Sequence, residues 1–140
     1  MIIGRALLTI ALLSTLFGPI GADWNDTHVF NPAWPPHARF HSVVGLFVTI
    51  GFSLIGLWLL WRSSTDYLTH LLVAPAVPVL AWGTFFLALL VPGTGVEDYA
   101  GTLPRFIGLP LNVFVAMMFS ATAVVGYVIC RRAYGSEKGR

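Results

Sequence analysis

His37–Arg62 reads HARFHSVVGLFVTIGFSLIGLWLLWR. Between His41 and Arg62 lie 20 consecutive uncharged residues, and about 20 apolar residues in a helix cross the ~30 Å hydrocarbon layer of a bilayer. A backbone in lipid must satisfy its own hydrogen bonds, so the run predicts a helix and not a strand. Gly45, Gly51 and Gly56 allow the close approach by which membrane helices pack. Trp58, Trp61 and Arg62 mark the far boundary, where aromatic and basic side chains meet water. Pro35-Pro36 starts the helix, since the first turn does not need proline's missing N–H.

Three more runs of the same kind flank this one. Spans are expected over about 3–22, 37–61, 67–91 and 109–130. Gly18-Pro19 is expected to kink or end the first, and Pro75 with Pro78 to interrupt the third. The basic tail from Arg131 to Arg140 reads as frayed. Composition agrees: 10% of residues are charged and 56% apolar, against roughly 25% charged in soluble domains. The fold class is therefore an all-α membrane protein, one four-helix bundle over 1–140. A signal peptide is the rival reading of the first run, with Arg5 as its basic end and Gly21-Ala22 as a small-residue cleavage site; a retained span is expected. The single cysteine, Cys130, excludes an internal disulfide and a cysteine zinc cage and reads as a buried structural thiol.

With four spans both termini share one side. Arg5, Arg62, Arg131, Arg132, Lys138 and Arg140 fall there, against Arg39 and Arg105 opposite. The positive-inside rule then makes both termini cytoplasmic. The net charge of +2 follows topology and gives no sign of a nucleic-acid partner. Short loops and the basic tail suit a bacterial inner membrane, and an organelle membrane fits equally well.

Polar chemistry concentrates in Asp23–His41, which holds His28, His37 and His41 of the four histidines. His37 and His41 stand one helical turn apart, and Gly45 continues the stripe; this face is expected to point into the bundle. The pair can chelate a divalent metal, with Asp23, Asp26 or His28 as third ligand, or act as a base. No cofactor is otherwise expected. Four histidines are too few for a di-iron site, and no opposed histidine pair supports haem. His70, alone near the inner end of the third helix, reads as a structural interface residue. Asp23 and Asp26 are expected to face Glu97 and Asp98 across the bundle mouth as proton donors. Trp24, Asn25, His28, Asn31, Trp34, Arg39 and Glu97 would line the substrate site. The absence of a visible inverted repeat and of an intramembrane charge disfavours a transporter.

The pattern Asn25-x-Thr27-His28-x-x-Asn31-Pro32-x-Trp34-Pro35-Pro36-His37-Ala38-x-Phe40-His41 resembles the signature of a small four-helix membrane family of bacteria and fungi without an assigned activity. The resemblance implies that the stretch acts as one unit. Four short helices, an acidic residue after the first and a Trp/Pro-rich connection are also similar to the emopamil-binding family of sterol isomerases. That resemblance implies a lipid-sized cavity worked by His, Glu and Asp, although the acidic residues here lie at the helix ends.

The expectation is a small membrane enzyme that isomerises, cyclises or hydrates a terpenoid- or sterol-like molecule at the outer face. Asp23 or Asp26 would be the acid and His37 or His41 the base. A metal-dependent enzyme on His37 and His41 is one alternative, and a lipid-binding or accessory subunit, alone or as a homo-oligomer, is another.

Overall fold

A computed structural model describes residues 1–97 and 100–138, with Lys138 described by its backbone alone. Asp98, Arg140 and the Lys138 side chain lie outside the described residues. The chain forms α1 (Ile2–Asp23), α2 (Pro36–Trp61), α3 (Tyr67–Ala88), β1 (Arg105–Phe106), β2 (Leu109–Pro110) and α4 (Leu111–Lys138). All four helices are long and apolar enough to cross a membrane. The two strands pair antiparallel, Arg105 opposite Pro110 and Phe106 opposite Leu109. Ile107 and Gly108 turn the hairpin with φ of 47° and 83°. Two positive φ values make the primed turn that matches strand twist, at a position that strains a β-branched residue.

The helices differ from expectation in four places. α1 runs through Gly18-Pro19 to Asp23. α3 is continuous through Pro75 and Pro78, and both are buried. Each proline frees the carbonyl four residues earlier, on Leu71 and Ala74, and these two residues are themselves buried inside the bundle. α3 stops at Ala88 rather than near 91. Leu89, Leu90 and Val91 donate to carbonyls three residues back, and the Thr94 hydroxyl reaches Ala88 O at 2.6 Å, so the helix tightens into turns. α4 continues to Lys138 where a frayed tail was expected. Tyr134 packs on Tyr67 with ring centroids 5.1 Å apart and holds the extension against α3.

α1 is the most buried of the four helices. α1 and α3 each touch the other three, whereas α2 and α4 make no contact among the described residues. The core joins Leu8, Ala11 and Leu12 of α1 to Leu60, Leu71, Ala74, Ala123 and Cys130. The buried hydroxyls of Thr15 and Ser53 donate to the carbonyls of Ala11 and Thr49, four residues back. α1 and α4 approach most closely at Gly4 and Gly126. A Cβ on Gly4 would lie 2.6 Å from Cys130 Sγ and 2.8 Å from Gly126 O. One on Gly126 would lie 3.0 Å from Gly4 O. Cys130 is thus a buried packing residue, its thiol 3.7 Å from Met1 O.

The terminal end of the bundle is closed by aromatic contacts. The Arg5 guanidinium lies 5.4 Å from the ring centroids of both Trp61 and Tyr67. Trp61 Nε1 donates to Thr9 Oγ1 at 2.9 Å. Asp66 caps α3 by accepting from Thr69 N at 3.3 Å. Hydrogen bonding from Thr69 holds the Asp66 carboxyl below the usual value of 3.8.

Gly126→Leu should destabilise the folded bundle in detergent by about 1–3 kcal/mol, since backbone must move to admit it. Gly45→Ala should cost nothing and can add up to about 1 kcal/mol of helix propensity, because a Cβ there meets no atom within 4 Å; equal thermal shifts for the two variants would contradict the packing described. Because the folded pKa of Asp66 is depressed, its cap stabilises above pH 3.8 and is lost as pH falls below that value. Asp66→Asn should therefore remove part of the stability loss seen between pH 5 and pH 3 in acid titration followed by circular dichroism.

Candidate functional site

The α1–α2 and α3–α4 connections lie together at the end of the bundle opposite the termini, called here the far end. The first connection is ordered by short polar side chains bonding the nearby backbone, as Asn and Thr do in turns. Asn25 Nδ2 donates to Ala22 O at 2.6 Å, and Asn25 Oδ1 accepts from Thr27 N at 2.9 Å. These two contacts fix which way the amide faces. The Thr27 hydroxyl, 2.6 Å from Asn25 Oδ1, must then be the donor in that bond. Its remaining contact, to His28 Nδ1 at 2.8 Å, must be one in which it accepts. His28 therefore carries a proton on Nδ1 and turns Nε2 toward Asp23 Oδ1, 3.8 Å away. At that distance the two groups are near neighbours without a direct hydrogen bond. The two side chains are 44% and 34% exposed.

The rest of the stretch supports this pair. Val29 is buried at 2% exposure and plugs the turn into the bundle. Trp34 packs edge-on to His28 at 5.7 Å and Trp24 edge-on to Phe30 at 5.5 Å. Asn31 bonds Thr27 O and Ala33 N. Arg39 Nη2 donates to Asn31 O at 2.8 Å, so it braces the connection instead of facing lipid headgroups. Asp26 is exposed. Thr27, the residue that orients His28, was not singled out in the sequence as a site residue; the Asn-x-Thr-His order is the signal that could have found it, read as a side-chain turn.

His37, His41 and Gly45 do not point into the bundle. All three are exposed, and the inward stripe of α2 is Leu46, Ser53, Gly56 and Leu60. Arg39, seven residues before Leu46, lies on that inward side and is half-buried. The outward histidines bond each other, Nε2 to Nε2 at 3.0 Å, with rings at 82°. No three His, Cys, Asp or Glu side chains gather around a common point among the described residues. Neither Asp23, Asp26 nor His28 therefore completes a three-ligand site with this pair. His70 is half-buried near the terminal end, its Nδ1 without a partner.

The second connection organises around Glu97, whose side chain is 11% exposed. Its carboxylate accepts from Arg105 Nη2 at 2.7 Å, Gly101 N at 3.0 Å and Leu103 N at 3.3 Å. Among the described residues these contacts stay within 97–105, so Glu97 staples its own loop and does not reach across to Asp23 or Asp26. Asn112 Nδ2 ties the same loop to α4 through Val96 O at 2.6 Å.

Beside the Asp23–His28 pair, a groove of about 200 Å³ opens between α1 and α2, lined by Ile20, Trp24, Leu46 and Ile50. Its lining is wholly apolar, and Trp24 is the chain neighbour of Asp23. The arrangement sets an apolar groove near a carboxyl and an imidazole that are both partly exposed.

Residues 7–140 match the model of a family described as a family of unknown function, DUF6640. No curated protein and no solved structure matches the chain.

Glu97→Ala should release the second connection while leaving the helices formed. Hydrogen bonds to a charged group contribute about 1.5–3 kcal/mol each, so amide exchange at Gly101 and Leu103 should accelerate by at least about tenfold. Unchanged exchange at both would show that the staple does not hold the loop.

Proposed function

We propose, for a chain that belongs to a family of unknown function (DUF6640), a small integral membrane protein that works on a lipophilic molecule by proton transfer at its far end. The positive-inside distribution of Arg5, Arg62, Arg131 and Arg132 supports a reading with this end at the outer face and both termini cytoplasmic, in a bacterial inner membrane or an organelle membrane. The observation that carries the reading is the placing of Asp23 and His28, 3.8 Å apart, next to Trp24 and its apolar groove, with Thr27 holding His28 through Nδ1.

The groove faces the bilayer, so its ligand arrives from lipid. At about 200 Å³ it is smaller than the ~300–1,000 Å³ pockets that enclose drug-sized ligands. It suits an isoprenoid segment better than a whole sterol. A double-bond migration fits the pair. The Asp23 carboxyl, protonated, gives its proton to one alkene carbon, His28 Nε2 takes a proton from the allylic carbon, and passage of that proton from His28 through water to the Asp23 carboxylate restores the starting state. Asn25 and Thr27 position His28, while Trp24 and Trp34 shape the seat. In this reading Asp23 and His28 replace the Asp26, His37 and His41 set as the working groups, and Glu97, Asn31 and Arg39 act as braces.

A second reading, a lipid-binding or accessory subunit, is favoured by one observation: the polar groups of the first connection are largely satisfied within it. It keeps the groove and drops the chemistry.

Deuterium exchange separates the two. The protein is purified with its bound lipophile, incubated in D₂O and extracted for mass spectrometry. Deuterium should enter the lipophile with the parent protein and fall by about 10²–10⁴-fold with Asp23→Asn or His28→Ala, the usual range for general acid–base catalysis. Thr27→Val should lower it too, since His28 loses its fixed tautomer. A bound lipophile with no deuterium uptake in the parent would sink the enzymatic reading and leave the binding one.

A further inference from the structure

The outward face of α2 carries a feature unused by the reading above and independent of it. The His37 and His41 Nε2 atoms stand 3.0 Å apart, with ring centroids 4.4 Å apart and ring planes at 82°. Each nitrogen has no partner among the described residues except the other. Both side chains are exposed, Phe40 beside them is 60% exposed, and Gly45 one turn deeper leaves the face clear. The nearest cationic side chain in sequence, Arg39, is turned to the opposite side of the helix and bonded to Asn31 O, so no guanidinium competes for the position in front of the imidazoles.

We infer that His37 and His41 form a two-imidazole chelate for a divalent ion at the membrane surface, with a preference for copper(II) over zinc(II). The i, i+4 spacing sets both exposed imidazoles side by side on one helix face, their Nε2 atoms 3.0 Å apart in a mutual hydrogen bond, and a turn of the exposed rings brings both lone pairs onto one metal at about 2.0–2.1 Å. The preference follows from the general affinity order of nitrogen sites, which places copper(II) first. Binding needs both Nε2 lone pairs, so the proton now shared between them moves to Nδ1 or to solvent, and both Nδ1–H groups face water or headgroups as outer partners. Only two donors come from the chain; water or a lipid phosphate oxygen supplies the rest, which makes this a labile, exchangeable site.

The test is copper(II) titration of the full chain in detergent, followed by electron paramagnetic resonance and competed with zinc(II). The parent should bind one copper per chain with hyperfine coupling to two imidazole nitrogens, and should favour copper by about tenfold or more. His37→Gln and His41→Gln should each weaken binding by about tenfold or more, and the double variant should abolish the two-nitrogen signal. His28→Gln should leave it intact. Because the pair is exposed, these variants keep the helical circular dichroism of the parent, and a variant that does not is replaced by His37→Asn/His41→Asn. Copper binding unchanged in the folded double variant, or zinc bound as tightly as copper by the parent, would overturn the assignment and leave the pair as a mutual hydrogen bond.

Discussion

The hydrocarbon layer offers a backbone no water to bond, and that constraint organises this molecule. It confines irregular chain to the two ends of four helices. Within the layer, association rests on contact and not on water exclusion, which is why small residues sit where α1 meets α4 and why Leu, Ile and Phe are left on the outside. At the ends the chain meets water only partly, and each connection compensates with its own donors and acceptors. Asn25, Thr27 and Asn31 do this for the first connection, and Glu97 with Arg105 does it for the second.

The two connections differ in what they leave over. Around Glu97 the carboxylate accepts from one guanidinium and two backbone N–H groups of its own loop. Around Asn25 the same kind of bookkeeping ends in a surplus: the last member of the chain of bonds, His28, has one ring nitrogen assigned and the other turned to Asp23. A self-contained turn thus presents a carboxyl and an imidazole, both partly exposed, near an apolar groove.

The architecture was legible because lipid solubility is written in long uncharged runs, and each of the four produced a helix near its place. The facing of α2 was not. A stripe of His37, His41 and Gly45 suggested a site turned inward, but in a membrane helix apolar residues populate every face and the usual contrast between buried and wet sides fails. Only packing decided that Leu46, Ser53, Gly56 and Leu60 point in. Proline in α3 misled for a related reason, since buried surroundings tolerate what an exposed helix does not. The importance of Asp23 and His28 was visible as composition, but their pairing depended on Thr27, whose role is a matter of hydrogen-bond direction and leaves no trace in hydropathy.

The burial of α1 has a consequence for how the protein is made. Gly126, which α1 meets backbone to backbone, stands 122 positions after Gly4 (126 − 4), so α1 waits for α4 before this contact can form. Until then the Gly4–Leu8–Ala11 face is uncovered, while Arg5 gains Trp61 and Tyr67 as α2 and α3 arrive. Contacts this distant in sequence are slow to form. The bundle therefore closes only when α4 is in place, and until then one face of α1 stays open.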